Sequence, residues 1–407
     1  MIEIDGDRLW HTLMRSAEIG PGVAGGLRRL ALTPEDKAVR DQLRAWGEEG
    51  GFPVTVDKAG NIFLRLEGQT DGPPVLVGSH LDTQVTGGRF DGILGVLAGL
   101  EIIRTLKDRG HVPRRPVEVV DWTNEEGARF SPPMMSAAAF AGVETLDWLH
   151  DRRDDDGVRL VDALEAIGYR GEADVGKPVD AYFELHIEQG PELHETGTIV
   201  GIVTGGYASH GATVRFHGET AHTGPTPMAR RRNALVAAAY AGAAVNEIGL
   251  AFAPIGKATV SRIVAWPNKP GILSSFAELT VDVRHEDAAA AEEMRRQAMA
   301  AIDEAATRAR VDREITSTWR FGDEVFDPDC IALLRDAASA LGVSSRDIKS
   351  QAGHDAYYMS RVAPTAMLFS PCVDGITHNE AEDVPREATI AAANVFANAV
   401  LARADRP

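Results

Sequence analysis

The chain has 407 residues, 44% of them hydrophobic and 25% charged, which is typical of a soluble globular protein long enough for two domains. Acidic residues outnumber basic ones by 60 to 42, so the formal net charge is −18. This balance argues against nucleic-acid or anionic-membrane partners, because both need a basic surface. Cys330 and Cys372 have no CxxC spacing, and the first residues lack a signal-peptide pattern. We therefore expect a cytoplasmic protein.

Strand and helix patterns alternate in the first half of the chain. We predict strands at 61–66, 75–78, 117–122 and 181–185 and a helix at 94–109. Several of these strands stop at side chains that can do chemistry, among them His80, Glu125, Glu126 and His186. This arrangement indicates an α/β domain whose site lies at the carboxyl ends of its strands.

The middle of the chain has a different pattern. Residues 212–217 and 279–284 alternate like strands, and residues 230–247 and 286–308 are predicted helices. The apolar stretch 234–245 is too short to span a bilayer and is predicted to be a packed helix. A helix at 329–341 and a strand at 365–369 then return to the first pattern. We predict one α/β domain at 1–206 and 322–407, interrupted by a smaller α+β domain at 207–321.

Five side chains at predicted strand ends or in glycine-rich turns can bind metal: His80, Asp91, Glu126, His186 and His378. Imidazole and carboxylate without thiolate suit zinc, manganese, cobalt or nickel in a hydrolytic site. Asp91 is the natural bridge between two ions, because it lies in Gly87-Gly88-Arg89-Phe90-Asp91-Gly92, where glycines permit backbone conformations that push a side chain inward. Asp82 is predicted to hold the His80 ring.

Glu125 and Glu126 are adjacent and follow the apolar stretch 117–122. Adjacent carboxylates repel each other unless a cation compensates them or they face different ways. A metal site uses both, because one glutamate binds an ion and the other acts as general base toward an activated water. An exposed pair in a loop is the alternative, and the preceding apolar stretch argues against it.

The segments GSHLDTQVTGGRFDG (78–92), WTNEEGARF (122–130), ELHIEQGP (184–191), AHTGPTPM (221–228), AGHDA (352–356) and ITHNEAEDV (376–384) resemble the metal-dependent M20 amidohydrolases. They are most similar to the branch of N-carbamoyl-L-amino-acid hydrolases, allantoate amidohydrolases and β-ureidopropionases. The resemblance implies a zinc-peptidase-like catalytic domain, with a mixed sheet flanked by helices, and an inserted lid and dimerisation domain. It also implies a homodimer with one ion on His80, Asp91 and His186, the other on Asp91, Glu126 and His378, and Glu125 as base.

The same resemblance assigns substrate-binding residues. His222 matches a lid histidine that reaches the partner subunit's active site and stabilises the oxyanion, and Arg284 matches an arginine that binds the substrate carboxylate. Gln189, Gly353 and His354 match further substrate-contacting positions. In two places the chain departs from the family: Gly271 stands where relatives carry an asparagine, and Gln351 stands where they carry a glycine. We therefore expect an altered substrate pocket.

The predicted reaction is hydrolysis of a C–N bond in a small ureido or amide substrate that carries a carboxylate. An N-carbamoyl amino acid is the default, giving ammonia, carbon dioxide and the amino acid. Allantoate, an N-acyl amino acid or a dipeptide are alternatives. A metal-stabilised binding protein without activity is a remote one, because neither the base nor any ligand is lost.

Overall fold

The computed structural model describes residues 1–406, which form two β-sheets and the helices around them. The strands within this range are β1 (Val54–Val56), β2 (Ile62–Leu66), β3 (Val75–His80), β4 (Val117–Trp122), β5 (Ala181–Ile187), β6 (Val200–Gly206), β7 (Ala208–His217), β8 (Lys257–Trp266), β9 (Phe276–His285), β10 (Asp312–Phe321), β11 (Ser345–Ser350) and β12 (Thr365–Ser370). The α-helices are α1 (Gly6–Ser16), α2 (Pro34–Glu49), α3 (Ile93–Asp108), α4 (Met135–Phe140), α5 (Leu146–His150), α6 (Leu160–Ile167), α7 (Glu192–Thr196), α8 (Ala234–Ala251), α9 (Ala288–Ala309), α10 (Pro328–Ala340), α11 (Asp355–Met359) and α12 (Arg386–Ala404).

The larger sheet has eight strands in the order β1-β2-β4-β3-β5-β12-β6-β11. Its centre is parallel, because β3 pairs in parallel with β4 and β5, and β5 pairs in parallel with β12. The pairs β1-β2, β2-β4 and β12-β6 are antiparallel. Every residue of β3, β4, β5 and β12 is buried, as expected for central strands covered on both faces. The predicted mixed sheet flanked by helices is confirmed.

The carboxyl ends of the central strands carry the chemically capable residues. His80 is the last residue of β3, and His186 is the last but one of β5. Glu125 and Glu126 follow β4. The helix α3 begins at Ile93, directly after the loop that contains Asp91, and is almost entirely buried. The parallel order of β4, β3 and β5 therefore brings these side chains to one edge of the sheet.

The chain divides into two compact units. The first unit comprises Met1–Thr204, Val325–Ile348 and the segment that begins at His354, and the second comprises Gly205–Glu324 and Lys349–Gly353. The short segment Lys349–Gly353 lies within the predicted catalytic range 322–407, but it belongs with the second unit. The reason is hydrogen bonding: the Tyr207 N–H donates to the Ser350 carbonyl at 2.8 Å, and Arg284 Nη1 donates to the Gln351 carbonyl at 2.8 Å.

The second unit is built on an antiparallel sheet in the order β10-β7-β9-β8. Alternate residues of β7 and β9 are buried, and they pack with the helices α8 and α9 into one apolar core. The edge strand β8 exposes most of its residues.

Helix α8 begins at Ala234 and not at 230 as predicted, because the Asn233 side chain caps it by accepting the Leu235 N–H at 3.2 Å. At 18 residues, with a mean hydropathy of 1.4, it meets the length and composition criteria for a membrane span. Core helices of soluble proteins meet the same criteria. One face of α8, which includes Ala237, Ala241 and Val245, lies in the core of the second unit, as expected for a packed helix.

Candidate metal centre

The first unit brings together all five predicted metal ligands in two groups that share one residue. His80, Asp91 and His186 form one group, and Asp91, Glu126 and His378 form the other, with ligand atoms within 4.8 Å of one another in each. The two Asp91 oxygens face different histidines: Oδ1 lies 3.2 Å from His186 Nε2, and Oδ2 lies 3.3 Å from His378 Nε2. Asp91 is therefore placed where it would bridge two ions if both groups bound metal.

Two of the histidines are oriented by backbone carbonyls. His80 Nδ1 lies 2.9 Å from the Asp82 carbonyl oxygen, and His186 Nδ1 lies 2.9 Å from the Ile187 carbonyl oxygen. A ring that donates from Nδ1 leaves the lone pair on Nε2 facing inward, as a metal ligand requires. Burial lowers the pKa of His80 to about 4, so that ring is neutral.

The Asp82 carboxylate binds different groups from the one predicted. We expected its carboxylate to hold the His80 ring, but the atom that does so is the Asp82 backbone carbonyl, and Oδ1 is 3.8 Å from Nδ1. The carboxylate instead accepts the N–H groups of Glu125 at 3.1 Å and Glu126 at 3.3 Å. Asp82 thereby fixes the backbone of the glutamate pair as well as the His80 ring.

The adjacent glutamates face different partners. Glu125 Oε2 lies 3.4 Å from His80 Nε2, and Glu126 Oε2 lies 3.3 Å from His378 Nε2. Burial, together with the negative charges of Asp355 and Glu126, raises the pKa of Glu125 well above its usual range. Burial and Asp91 raise the pKa of Glu126 to about 7. A bound cation would favour the ionised form of both carboxyl groups.

The glycines around Asp91 provide both backbone freedom and space. We expected the glycines of the stretch 87–92 to permit unusual backbone conformations, and Gly92, directly after Asp91, has a positive φ of 71°. A Cβ on Gly92 would lie 2.2 Å from His80 Nε2, and a Cβ on Gly88 would lie 1.9 Å from Glu382 Cδ. The loop therefore needs glycine because two functional side chains occupy the space that a Cβ would fill.

In a third group, Glu184, His186 and His354, the carboxylate of Glu184 is already satisfied by hydrogen bonds. Glu184 accepts the Ser79 hydroxyl at 2.8 Å, and its other oxygen accepts the Tyr182 hydroxyl and the Ala356 N–H, both at 3.1 Å. His186 Nε2 faces Asp91. Because the Glu184 oxygens and His186 Nε2 already have protein partners, this group is a poor candidate for another ion.

Gln189 and His354, predicted to contact substrate, lie beside the metal ligands. Gln189 Nε2 is 3.2 and 3.0 Å from the two Asp91 oxygens, and φ of Gln189 is 61°. Its Oε1 is buried and has no hydrogen-bond partner among the described residues. The His354 ring is buried, 4.5 Å from the His186 ring between centroids.

The remaining predicted substrate residues, His222, Gly271, Arg284, Gln351 and Gly353, lie in the second unit. His222 is exposed, and its strand segment pairs with Ile272. The Thr223 N–H donates to the Gly271 carbonyl at 3.2 Å, so the two loops are joined. The Gln351 side chain is exposed.

Two residues that hold the ligands were not identified from the sequence. Gln84 Nε2 donates to Glu126 Oε2 at 2.9 Å, and Glu382 accepts the Asp91 N–H at 3.1 Å. Both lie within segments that carry the family resemblance, Gln84 four residues after His80 and Glu382 four residues after His378. Their closeness in sequence to the ligands His80 and His378 is the signal that could have identified them.

Comparison with known proteins identifies the family of the chain. Residues 76–402 match the model of Peptidase family M20/M25/M40. An N-carbamoyl-L-amino-acid amidohydrolase of Rhizobium meliloti is 43% identical, over 99% of this chain and 97% of that protein. An allantoate amidohydrolase of Bacillus subtilis is 30% identical, over 90% of each chain. The crystal structure of an amidase of the hydantoinase/carbamoylase family from Burkholderia vietnamiensis superposes with a TM-score of 0.96 at 46% identity, over 100% of this chain and 98% of that one. The chain belongs to Peptidase family M20/M25/M40.

Proposed function

We propose that this protein is a metal-dependent amidohydrolase that removes the carbamoyl group from N-carbamoyl L-amino acids. The observation that carries the proposal is the position of Asp91 between two groups of nitrogen and oxygen ligands, with Glu125 beside them. The substrate class is supported by the Rhizobium meliloti relative, which is similar over nearly its whole length.

The donor sets fit two divalent ions. His80, Asp91 and His186 would hold one, and Asp91, Glu126 and His378 the other, with zinc as the first choice and manganese, cobalt or nickel as alternatives. When bound, such ions polarise the substrate carbonyl and lower the pKa of a water. The inward-facing Nε2 atoms of His80 and His186 support this assignment.

Glu125 is the general base in this proposal. Its carboxylate is 3.4 Å from His80 Nε2, and its backbone is fixed by Asp82. It takes a proton from the attacking water and delivers it to the nitrogen of the amino acid as the C–N bond breaks. The carbamic acid released by this step decomposes to ammonia and carbon dioxide, and the free amino acid is the other product.

Four residues are proposed to bind the substrate. Arg284 binds the carboxylate, and His222, contributed by a partner subunit, donates to the carbonyl oxygen as negative charge develops on it. The unpartnered Oε1 of Gln189 is a suitable acceptor for a ureido N–H. The buried His354 contributes a further polar contact.

We propose a homodimer that forms through the second unit, the lid and dimerisation domain. The strand β8 lies at a sheet edge, and it exposes Ile263 (48%), Val264 (38%) and Trp266 (64%). An exposed apolar edge invites aggregation unless something covers it. A second copy pairing β8 against β8 would extend the sheet across a two-fold axis and bury these side chains.

A substrate panel tests the function. Protein loaded with zinc or manganese is incubated with N-carbamoyl-L-alanine, allantoate, N-acetyl-L-alanine and dialanine, and ammonia and free amino groups are measured. We expect the highest kcat/KM with the carbamoyl substrate. A preference for allantoate, the acetyl compound or the dipeptide would identify the alternative substrate, and no hydrolysis of any of them would contradict the proposal.

A further inference from the structure

Glu382 is neither a proposed metal ligand nor a proposed substrate-binding residue, yet its carboxylate makes several contacts beside the metal ligands. It is buried, with 1% of its surface exposed. Its Oε1 accepts the N–H groups of both Phe90 and Asp91, at 3.0 and 3.1 Å. The carboxylate therefore holds the peptide backbone on both sides of the Phe90–Asp91 bond.

A second contact reaches the Asp91 side chain. The Thr377 hydroxyl oxygen lies 3.1 Å from Glu382 Oε2 and 3.0 Å from Asp91 Oδ2. Thr377 directly precedes His378, the ligand that faces the same Asp91 oxygen. Glu382 is thus linked to Asp91 through the backbone and through the side chain, and to the His378 segment through Thr377.

The loop before Asp91 is shaped around this carboxylate. A Cβ on Gly88 would lie 1.9 Å from Glu382 Cδ and 2.0 Å from Oε1. No side chain larger than hydrogen fits there unless Glu382 moves. The loop therefore packs its backbone directly against the Glu382 carboxyl group. This close packing allows the two backbone N–H groups to donate to the carboxylate.

We propose that Glu382 is a positioning residue that fixes Asp91 as the bridge between the two metal groups. This inference rests on the proposed metal dependence. Asp91 is the one residue common to both groups, so any displacement of its carboxylate weakens both at once. Residues that orient metal ligands typically change metal affinity about 10–100-fold when they are removed.

Two substitutions separate positioning from charge. Glu382→Ala removes the acceptor and the charge together, and should weaken zinc binding about 10–100-fold. Glu382→Gln removes the charge alone. The glutamine oxygen still accepts both N–H groups, and its amide donates to Thr377, whose hydroxyl then donates to Asp91. Zinc affinity should therefore stay within about threefold of the wild type, well below the loss expected when an orienting residue is removed. Thr377→Val, which removes only the hydroxyl link, should give an intermediate loss.

Glu101 provides the control for loss of a buried carboxylate away from the site, although it is also paired with Arg8 Nε at 2.7 Å. It is also a glutamate with 1% exposure that accepts a backbone N–H, from Asp5 at 3.2 Å, and a threonine hydroxyl, from Thr105 at 2.8 Å. It lies on α3, eight residues or about 12 Å along the helix axis from Ile93. Glu101→Ala should lower the melting temperature and leave zinc affinity unchanged.

The measurement is the zinc dissociation constant of chelator-stripped protein, by competition with a chromophoric chelator, with melting temperature as the control for folding. Wild-type affinity in Glu382→Ala overturns the inference, and so does a loss in Glu382→Gln as large as that in Glu382→Ala. If Glu382→Ala fails to fold, Thr377→Val decides, and wild-type zinc affinity in that variant overturns the inference. Absence of zinc binding by the wild type would instead contradict the proposed metal dependence itself.

Discussion

Asp282 and Arg284, two residues apart on β9, form a side-on ion pair. Arg284 Nε donates to Asp282 Oδ1 at 2.7 Å, and Nη2 lies 3.4 Å from Oδ2. Nη1 donates to the Gln351 carbonyl at 2.8 Å. A guanidinium has five N–H groups, so one on each terminal nitrogen is left for a further acceptor. Arg284 can thus hold its two neighbours and bind a carboxylate at the same time.

Lysine cannot replace this arrangement. In Arg284→Lys the ammonium would bind Asp282 as a point charge and leave no pair of parallel donors for the substrate. A hydrogen bond to a charged group contributes roughly 1.5–3 kcal/mol, so KM for N-carbamoyl-L-alanine should rise about 10–100-fold. The control is a substrate without the carboxylate, such as N-carbamoyl-L-alaninamide, whose kcat/KM should hardly change. Equal losses for both substrates would exclude the proposed role of Arg284.

Removal of metal should abolish activity. The carboxylates Asp91, Glu125 and Glu126 are all buried or nearly so around the same cluster of imidazoles, and divalent ions are the charges that would compensate them. Dialysis against a strong chelator should eliminate turnover, and zinc, manganese, cobalt or nickel should restore it. Metal content is measured by mass spectrometry alongside activity. Full turnover in a verified metal-free sample would contradict the two-ion site.

Glu125→Gln should separate catalysis from metal binding. The amide is nearly isosteric and keeps the Glu125 N–H contact to Asp82, but it cannot accept a proton. Turnover should fall roughly 10²–10⁴-fold, the usual contribution of a positioned general base, with metal content unchanged. Glu126→Gln is the paired control and should lose metal. The opposite pattern would mean that the roles of Glu125 and Glu126 are exchanged.

The sequence predicted the central strands well, where burial makes a strong pattern, but it missed β6, which is buried at six of its seven residues. The central strands β4, β5 and β12 are buried along their whole length, so their apolar stretches were visible. The edge strand β8 and the exposed strand β10 were not predicted, because solvent on most of their residues leaves no apolar periodicity. The strand β11, with alternating exposed residues, was missed for the same reason.

The sequence also predicted which five metal ligands come together, and the structure shows how they are held. Spacing placed Asp82 near His80, but it did not tell that the carbonyl and not the carboxylate would bind the ring. The contact of Glu382 with Phe90 spans 292 positions and involves a backbone N–H, which leaves no trace in side-chain patterns. Such contacts depend on the path of the backbone, and composition and periodicity do not determine that path.

The proposal that His222 acts in the partner subunit's active site can be tested by mixing inactive subunits. If His222 acts in the partner's site, a heterodimer of His222→Ala with Glu125→Gln subunits contains one site with both residues intact. About half of wild-type activity per heterodimer is then the upper limit, because one of its two sites lacks both residues. Confirmed heterodimers without any recovery would place His222 outside the partner's site.

Ile263→Lys, at the exposed edge of β8, should shift the protein toward monomer and lower activity, as measured by light scattering and turnover.

Gly271 is expected to limit activity toward ordinary N-carbamoyl amino acids. No atom lies within 4 Å of a Cβ built on Gly271, so a side chain has room there. The φ of Gly271 is 86°, however, a conformation that is strained for a residue with a side chain. Asparagine tolerates positive φ better than other non-glycine residues, and it would place an amide on the loop that pairs with the His222 segment. Gly271→Asn should therefore raise kcat/KM for N-carbamoyl-L-alanine about tenfold, which corresponds to one added hydrogen bond of roughly 1.4 kcal/mol. The cost in stability should be about 1–3 kcal/mol.

The matched control is Gly271→Ala, which adds a Cβ at the same positive φ without the amide and should gain no activity. Gln351→Gly is less informative than the sequence suggests, because Arg284 contacts the Gln351 carbonyl, which glycine keeps. Its side chain is exposed, so its removal should leave kcat/KM close to the wild-type value. Two results together would contradict this prediction: efficient hydrolysis of N-carbamoyl-L-alanine by the wild type, and lower activity in Gly271→Asn. They would show that glycine at position 271 belongs to a working substrate pocket and that the pocket lacks no hydrogen bond there.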